Sequence, residues 1–292
     1  MRKAVSKMEY ALEISGLEKE YTKGNQVLKG IDLKIEKGVV TGFIGMNGAG
    51  KTTTIKLILG LIRANAGTIK IFGKELKEAE KEIKNRIGIV FDQGYLYEDL
   101  KLADMRRIFA GAYSNWDNAV YEEYLQKFHL DEKQKVKELS KGMKMKFSLT
   151  LALSHHADLL IMDEPTSGLD PKVRMEFLEI IREFMKEEDK TVFFSTHITT
   201  DLDKIADRII MLNQGEVILD EEKDRLLEGH ALVKGEKSML NAENKKWFVL
   251  LEERGFSFEG LTNKKERVKR EMERAVCERP TIEDIMVAYM GR

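Results

Sequence analysis

The spacing of apolar residues changes along the chain, and each change predicts an element. Residues 11–17 (ALEISGL) and 27–38 (VLKGIDLKIEKG) alternate apolar with polar side chains, the period of strands that bury one face. Residues 39–45 (VVTGFIG) form an apolar run ending in glycine, as a buried strand would. The stretch 52–62 (TTTIKLILGLI) has the length and spacing of a helix, and 67–74 (GTIKIFGK) reads as a strand between glycines. From Leu96 to Leu139 the pattern is helical, with apolar residues three and four apart in AVYEEYLQKFHL.

Short β-rich runs return at 158–165 (DLLIMDEP) and 190–197 (KTVFFSTH), separated by helical segments, and 208–220 (RIIMLNQGEVILD) predicts a hairpin turning at Asn213 to Gly215. Antiparallel strands followed by alternating strands and helices predict an α/β fold with an antiparallel β subdomain, a mainly parallel central sheet and a helical insertion over about 95–156. The main domain is expected over 9–220, with a small C-terminal accessory region over 221–292. In that region HALVKGE and GFSFEGL read as strands and KKERVKREMERA as a helix with a solvated charged face. PTIEDIMVAYMGR reads as a helix capped by Thr281, with Asp284 three residues on.

Composition narrows the function classes. The 292 residues are 42% hydrophobic and 34% charged, with a net charge of −1, so a core can form and no basic footprint marks a nucleic-acid binder. Cys277 is the only cysteine, which excludes an internal disulfide framework and points to a reducing compartment. The opening MRKAVSKMEYALEISG has no apolar core of a secretory signal, and no run approaches the roughly 18 apolar residues of a membrane span. Work at a membrane would need a second chain to supply the membrane part.

The chemistry begins at 45–52, GMNGAGKT. Gly45-x4-Gly50-Lys51-Thr52 between a strand and a helix is a phosphate-loop pattern. Glycines allow backbone N–H groups to converge on phosphate oxygens, and the helix start adds a positive dipole end. Lys51 would reach the outer phosphates and the Thr52 hydroxyl would ligate Mg²⁺. In LLIMDEP, Asp163 ends a buried strand, where a carboxylate that holds Mg²⁺ belongs, and the adjacent Glu164 is placed to deprotonate an attacking water. Between these motifs, LSKGM (139–143) opens another helix. Ser140 can cap it, and Gly142 leaves its N-terminus open to an anion, a second such site that the first loop does not need.

Taken in order, these motifs resemble the ABC-type ATPase family, the nucleotide-binding subunits of ATP-binding cassette transporters, over about residues 11 to 220. GMNGAGKT looks like the family's Walker A loop, with Gly45, Asn47, Gly48, Ala49, Gly50, Lys51, Thr52 and Thr53 at nucleotide-contact positions, and LLIMDE looks like its Walker B strand. LSKGM looks like the signature usually written LSGGQ, with Lys141 in place of its third-position glycine and Met143 in place of its glutamine. SGLD (167–170) resembles the D-loop, His197 the switch histidine, Gln93 the Q-loop glutamine and Tyr21 the aromatic that stacks on adenine.

The resemblance implies a P-loop NTPase core, ATP and Mg²⁺ as ligands, and head-to-tail pairing of two such subunits, identical or mixed. In that pair Ser140 and Gly142 would bind the γ-phosphate held by the partner, and Asp170 would sit at the seam. Gln93 would contact Mg²⁺ or water, and His197 would donate to the γ-phosphate. Lys141 could add charge near phosphate or point to solvent. Residues 221–292 resemble tails of the ABC-2 export class. The implied function is an ATPase on the cytoplasmic face of the cell membrane, driving export of peptides or antimicrobial compounds through a separate transmembrane permease. The alternatives are an importer subunit, a soluble non-transport ATPase acting in translation or DNA maintenance, and a nucleotide-binding regulator without turnover.

Overall fold

The computed structural model describes residues 10–92 and 95–291. Three sheets form among them. The first is antiparallel, in the order β2 (Gln26–Glu36), β1 (Tyr10–Glu20), β4 (Ala66–Ile71), β5 (Lys74–Glu75). The second holds six strands in the order β10 (Glu216–Glu222), β9 (Arg208–Asn213), β3 (Val40–Ile44), β8 (Thr191–Thr196), β7 (Leu159–Asp163), β6 (Ile87–Phe91). From β9 to β6 its neighbours run parallel, and only β10 is antiparallel, through the predicted hairpin. Parallel neighbours need crossovers, and α1 (Lys51–Ile58), α2 (Glu80–Asn85), α6 (Pro171–Phe184) and α7 (Thr199–Ile205) lie between the strands in sequence.

The central strands are apolar on both sides, and their two-residue period divides them between two cores. Phe43, Leu159, Ile161, Phe193 and Ile210 join the antiparallel sheet and α1. Val40, Ile44, Leu160, Met162, Val192, Phe194 and Met211 join the opposite core. That core continues into the helical region of α3 (Leu102–Ala112), α4 (Asn118–Lys127) and α5 (Lys141–Leu153). Gly42 is required on this face, because a Cβ there would lie 2.1 Å from Leu202 Cδ2.

Helix α1 is shorter than its apolar pattern. The chain turns at Gly60, φ 68°, where Gly60 N donates to Leu57 O and Leu61 N donates to Lys56 O, the paired bonds of a glycine C-cap. Leu61 is then exposed beyond the helix end.

After β10, the chain forms α8 (Lys223–Gly229) and a third sheet in the order β12 (Phe248–Arg254), β13 (Ser257–Thr262), β11 (Ala231–Glu236), β14 (Val276–Glu278). It has its own small core of Val233, Trp247, Phe258 and Val268, the last from α9 (Lys265–Glu271). Helix α10 (Ile282–Met290) has the predicted Thr281–Asp284 capping box, and its Ile282, Ile285 and Ala288 enter the main core. Strands β12 and β14 were not anticipated. Among the described residues no helix is long and apolar enough to cross a membrane.

Candidate functional site

The loop 45–50 connects β3 to α1. Gly45 is needed for close approach, since a Cβ there would stand 2.4 Å from Leu212 O. Gly50 adopts φ 113°, and a Cβ would meet Leu28 Cδ2 at 2.7 Å. The β9–β10 hairpin braces the loop, with Gly215 N donating to Ala49 O at 3.1 Å. Helix α1 has no side-chain cap, so its first amides remain open at the N-terminus. Asn47, Gly48 and Thr52 are exposed beside them, while Ala49 is buried and Thr53 half-buried.

Lys51 is buried, and its ammonium donates to Gly45 O at 2.7 Å and lies 3.4 Å from Glu164 Oε1. This ties the loop to the end of β7. Asp163 and Glu164 diverge there, because Glu164 adopts φ 50° and leaves the strand. Asp163 stays buried and accepts a 2.5 Å hydrogen bond from the Ser195 hydroxyl, whose oxygen accepts from Glu164 N at 3.0 Å. Ser195 is Asp163's register partner across the β7–β8 pair, and the sequence reading did not single it out. The signal available was its position two residues before His197, at the end of a strand that must lie near β7.

The other oxygen of Glu164, Oε2, lies 2.7 Å from His197 Nδ1 and accepts from His197 N at 3.3 Å. Half of the His197 side chain is exposed, whereas Glu164 is only 17% exposed. One carboxylate therefore joins a lysine on one side to a histidine on the other. Tyr21 belongs to the same neighbourhood, with its hydroxyl 3.4 Å from Thr53 Oγ1 and its ring exposed.

Behind this cluster is a network absent from the sequence reading. Asp201 is fully buried on α7, and accepts from Thr166 Oγ1 at 2.6 Å and Arg174 Nε at 2.5 Å. It joins the chain just after Glu164, the first turns of α6 and the helix that begins two residues after His197. The two partners satisfy a carboxylate that would otherwise be costly to bury.

The contacts of Ser140, Gly142 and Asp170 run elsewhere. Ser140 caps α5, accepting from Met143 N at 3.2 Å, as expected. Gly142 does more than leave the helix start open: a Cβ would lie 3.0 Å from Val173 Cγ1, so its size is set by packing on α6. Asp170 caps α6 through Lys172 N and Val173 N. Lys141, 41% exposed, pairs with Asp92, whose Oδ1 lies 2.6 Å from its ammonium. Gln93 lies outside the described residues.

A strand–loop–helix phosphate cradle with a paired acid and histidine at the neighbouring strand ends defines a phosphate-loop nucleotide-binding protein. The chain belongs to the family of ABC transporter ATP-binding proteins. The family model described as "ABC transporter" matches residues 28–167. The lantibiotic transport ATP-binding protein SrtF of Streptococcus pyogenes is 34% identical over 215 residues, which cover 73% of this chain and 91% of SrtF. The bacitracin transport ATP-binding protein BcrA of Bacillus licheniformis is 34% identical over 198 residues, 67% of this chain. The chain spans 65% of BcrA's length. A solved structure described as the ATP-binding subunit of an ABC transporter is similar with a TM-score of 0.68 and 31% identity, covering 75% of this chain and 92% of that one.

Proposed function

We propose that this protein binds and hydrolyses ATP as one subunit of a transporter and drives export through a separate membrane subunit. The observation that carries the reading is Glu164, held between Lys51 at 3.4 Å and His197 at 2.7 Å beside the buried Asp163. The open amides of α1 and the loop 45–50 bind the phosphates, and Lys51 neutralises their charge. Phosphate oxygens compete with Glu164 for the Lys51 ammonium, leaving the carboxylate to accept a proton from water. His197, held at Nδ1 by Glu164, donates to the outermost phosphate from Nε2 when the imidazole carries both protons. No covalent enzyme intermediate is needed, since phosphoryl transfer is catalysed by positioning and charge.

Magnesium fits this site. Mg²⁺ in nucleotide sites takes one or two protein oxygens and fills the rest of its shell from phosphates and water. Asp163 offers such a carboxylate, oriented by Ser195, and Thr52 offers an exposed hydroxyl at the start of α1. Bound there, the ion would offset negative charge on the phosphate oxygens.

Ser140, Gly142 and Asp170 serve a second subunit. Their contacts do not reach this chain's own phosphate loop, and Ser140 and Gly142 begin a helix whose N-terminus suits an anion. ATP shared by two subunits favours the closed pair, and hydrolysis releases it. The work is done on the cytoplasmic face of a membrane, and the cargo class is a peptide antimicrobial, supported by the transport functions named for BcrA and SrtF. The domain division at about 220 and the accessory role of 221–292 belong to the same reading.

The test is phosphate release by the purified chain with ATP and Mg²⁺, together with copurification from native membranes. Turnover and a captured membrane protein are expected. Absence of turnover in both settings removes the ATPase reading, and capture of ribosomes or DNA in place of a membrane protein removes transport.

A further inference from the structure

Lys141 is a charge in an unfavourable place. It is the first residue of α5, Lys144 follows one turn on, and no acidic residue occupies that first turn. Cations at a helix N-terminus oppose the macrodipole. The fold compensates with carboxylates from another element. Asp92, just past β6, holds Lys141 at 2.6 Å, and Glu98, before α3, holds Lys144 at 2.7 Å.

Two features make the first pair more than a casual surface contact. Asp92 is fixed by its backbone, since Asp92 N donates to Asp163 O at 3.0 Å, which roots it beside the catalytic strand end. The Lys141 side chain also crosses Gly168, which has φ 65°, and a Cβ at 168 would stand 3.1 Å from its Nζ. One lysine therefore links the start of α5 to the end of β6 and leaves little room for a side chain on the turn that leads to Asp170. Its ammonium is engaged within its own subunit.

We propose that Lys141 is a positioning residue. Through Asp92 it fixes the orientation in which Ser140 and Gly142 are presented to the nucleotide of a second subunit. The inference rests on the reading that these two residues meet a partner's phosphate. It differs from a direct role for Lys141 on phosphate, because a direct role would not need Asp92.

The experiment compares full-length variants in a Glu164→Gln background, where slowed hydrolysis lets ATP-bound pairs accumulate. Pairing is read by sedimentation as ATP is titrated with Mg²⁺, and each chain's own ATP affinity is read separately with a fluorescent nucleotide. Lys141→Ala is expected to raise the ATP concentration for half-maximal pairing about fivefold, with own-site affinity kept within about twofold, the scale of a half-exposed ion pair. Asp92→Asn should match it, the double variant should be no worse than either single one, and the exchange Lys141→Asp with Asp92→Lys should recover pairing in part.

Additive losses, loss in Lys141→Ala without loss in Asp92→Asn, or pairing unchanged in both would each overturn the proposal. If the parent Glu164→Gln protein itself never pairs with ATP, the reading of a shared nucleotide falls and the proposal falls with it. Failure confined to the Lys141 and Asp92 variants leaves that reading standing.

Discussion

Glu164 Oε2 lies 2.7 Å from His197 Nδ1, across the ends of two adjacent parallel strands. The bond orients the imidazole, and Lys51 occupies the other carboxylate oxygen at 3.4 Å. One carboxylate thus holds a histidine through one oxygen and a lysine through the other.

Replacing Glu164 with Gln keeps the shape and removes the proposed base. Phosphate release is expected to fall by roughly 10²–10⁴-fold while ATP still binds, the range general-base removal gives. Unchanged single-turnover hydrolysis would exclude Glu164 from that role.

Ser195→Ala removes the hydroxyl that donates to buried Asp163 at 2.5 Å. Leaving a buried carboxylate short of a partner costs about 1–3 kcal/mol. The Mg²⁺ concentration for half-maximal turnover should rise, and urea unfolding should shift to lower denaturant. A magnesium titration that superposes on that of the parent would remove Ser195 from the metal site.

Tyr21→Ala should weaken ATP binding about tenfold with little change in kcat, because stacking of a base on an aromatic ring is worth about 1–3 kcal/mol. Tyr21→Trp should restore it. Equal affinity in all three proteins would make Tyr21 only a surface neighbour of Thr53.

His155 gives a pH dependence. It is buried against Tyr113, the ring centroids 3.8 Å apart, and burial lowers its pKa from 6.5 to about 4. Between those values the unfolded chain binds a proton that the folded chain refuses, so stability falls as pH drops through 6.5 towards 4. The full contribution is about 3 kcal/mol. His155→Phe keeps an aromatic ring and removes the titration, so unfolding free energies of the two proteins should converge or cross as pH falls. Parallel pH profiles would show that His155 does not titrate across this window.

Much of the fold is legible in periodicity because each core strand carries its own signal. The largely apolar runs at β3, β7 and β8 announce burial on both faces, and the phosphate loop is encoded in part by Gly45 and Gly50, where a Cβ would strike backbone or a neighbouring side chain. Strand β12 is less legible, since only its first residue is buried and its later positions are charged and exposed. Helix α1 ends early because the Gly60 cap outweighs the apolar residues that follow.

The sequence by itself determined the kinds of chemistry present: the loop, the acids at the end of one strand, the histidine at the end of another and the capped helix between them. These are local, written within a few consecutive residues, and their spacing carries their meaning. Only the tertiary structure decided that Glu164 lies between Lys51 and His197, that Ser195 supports Asp163, and that Asp92 takes the Lys141 ammonium. Each of these pairs joins segments from different elements, and a side chain's partner is set by strand order and register, which the spacing of residues along one chain does not specify.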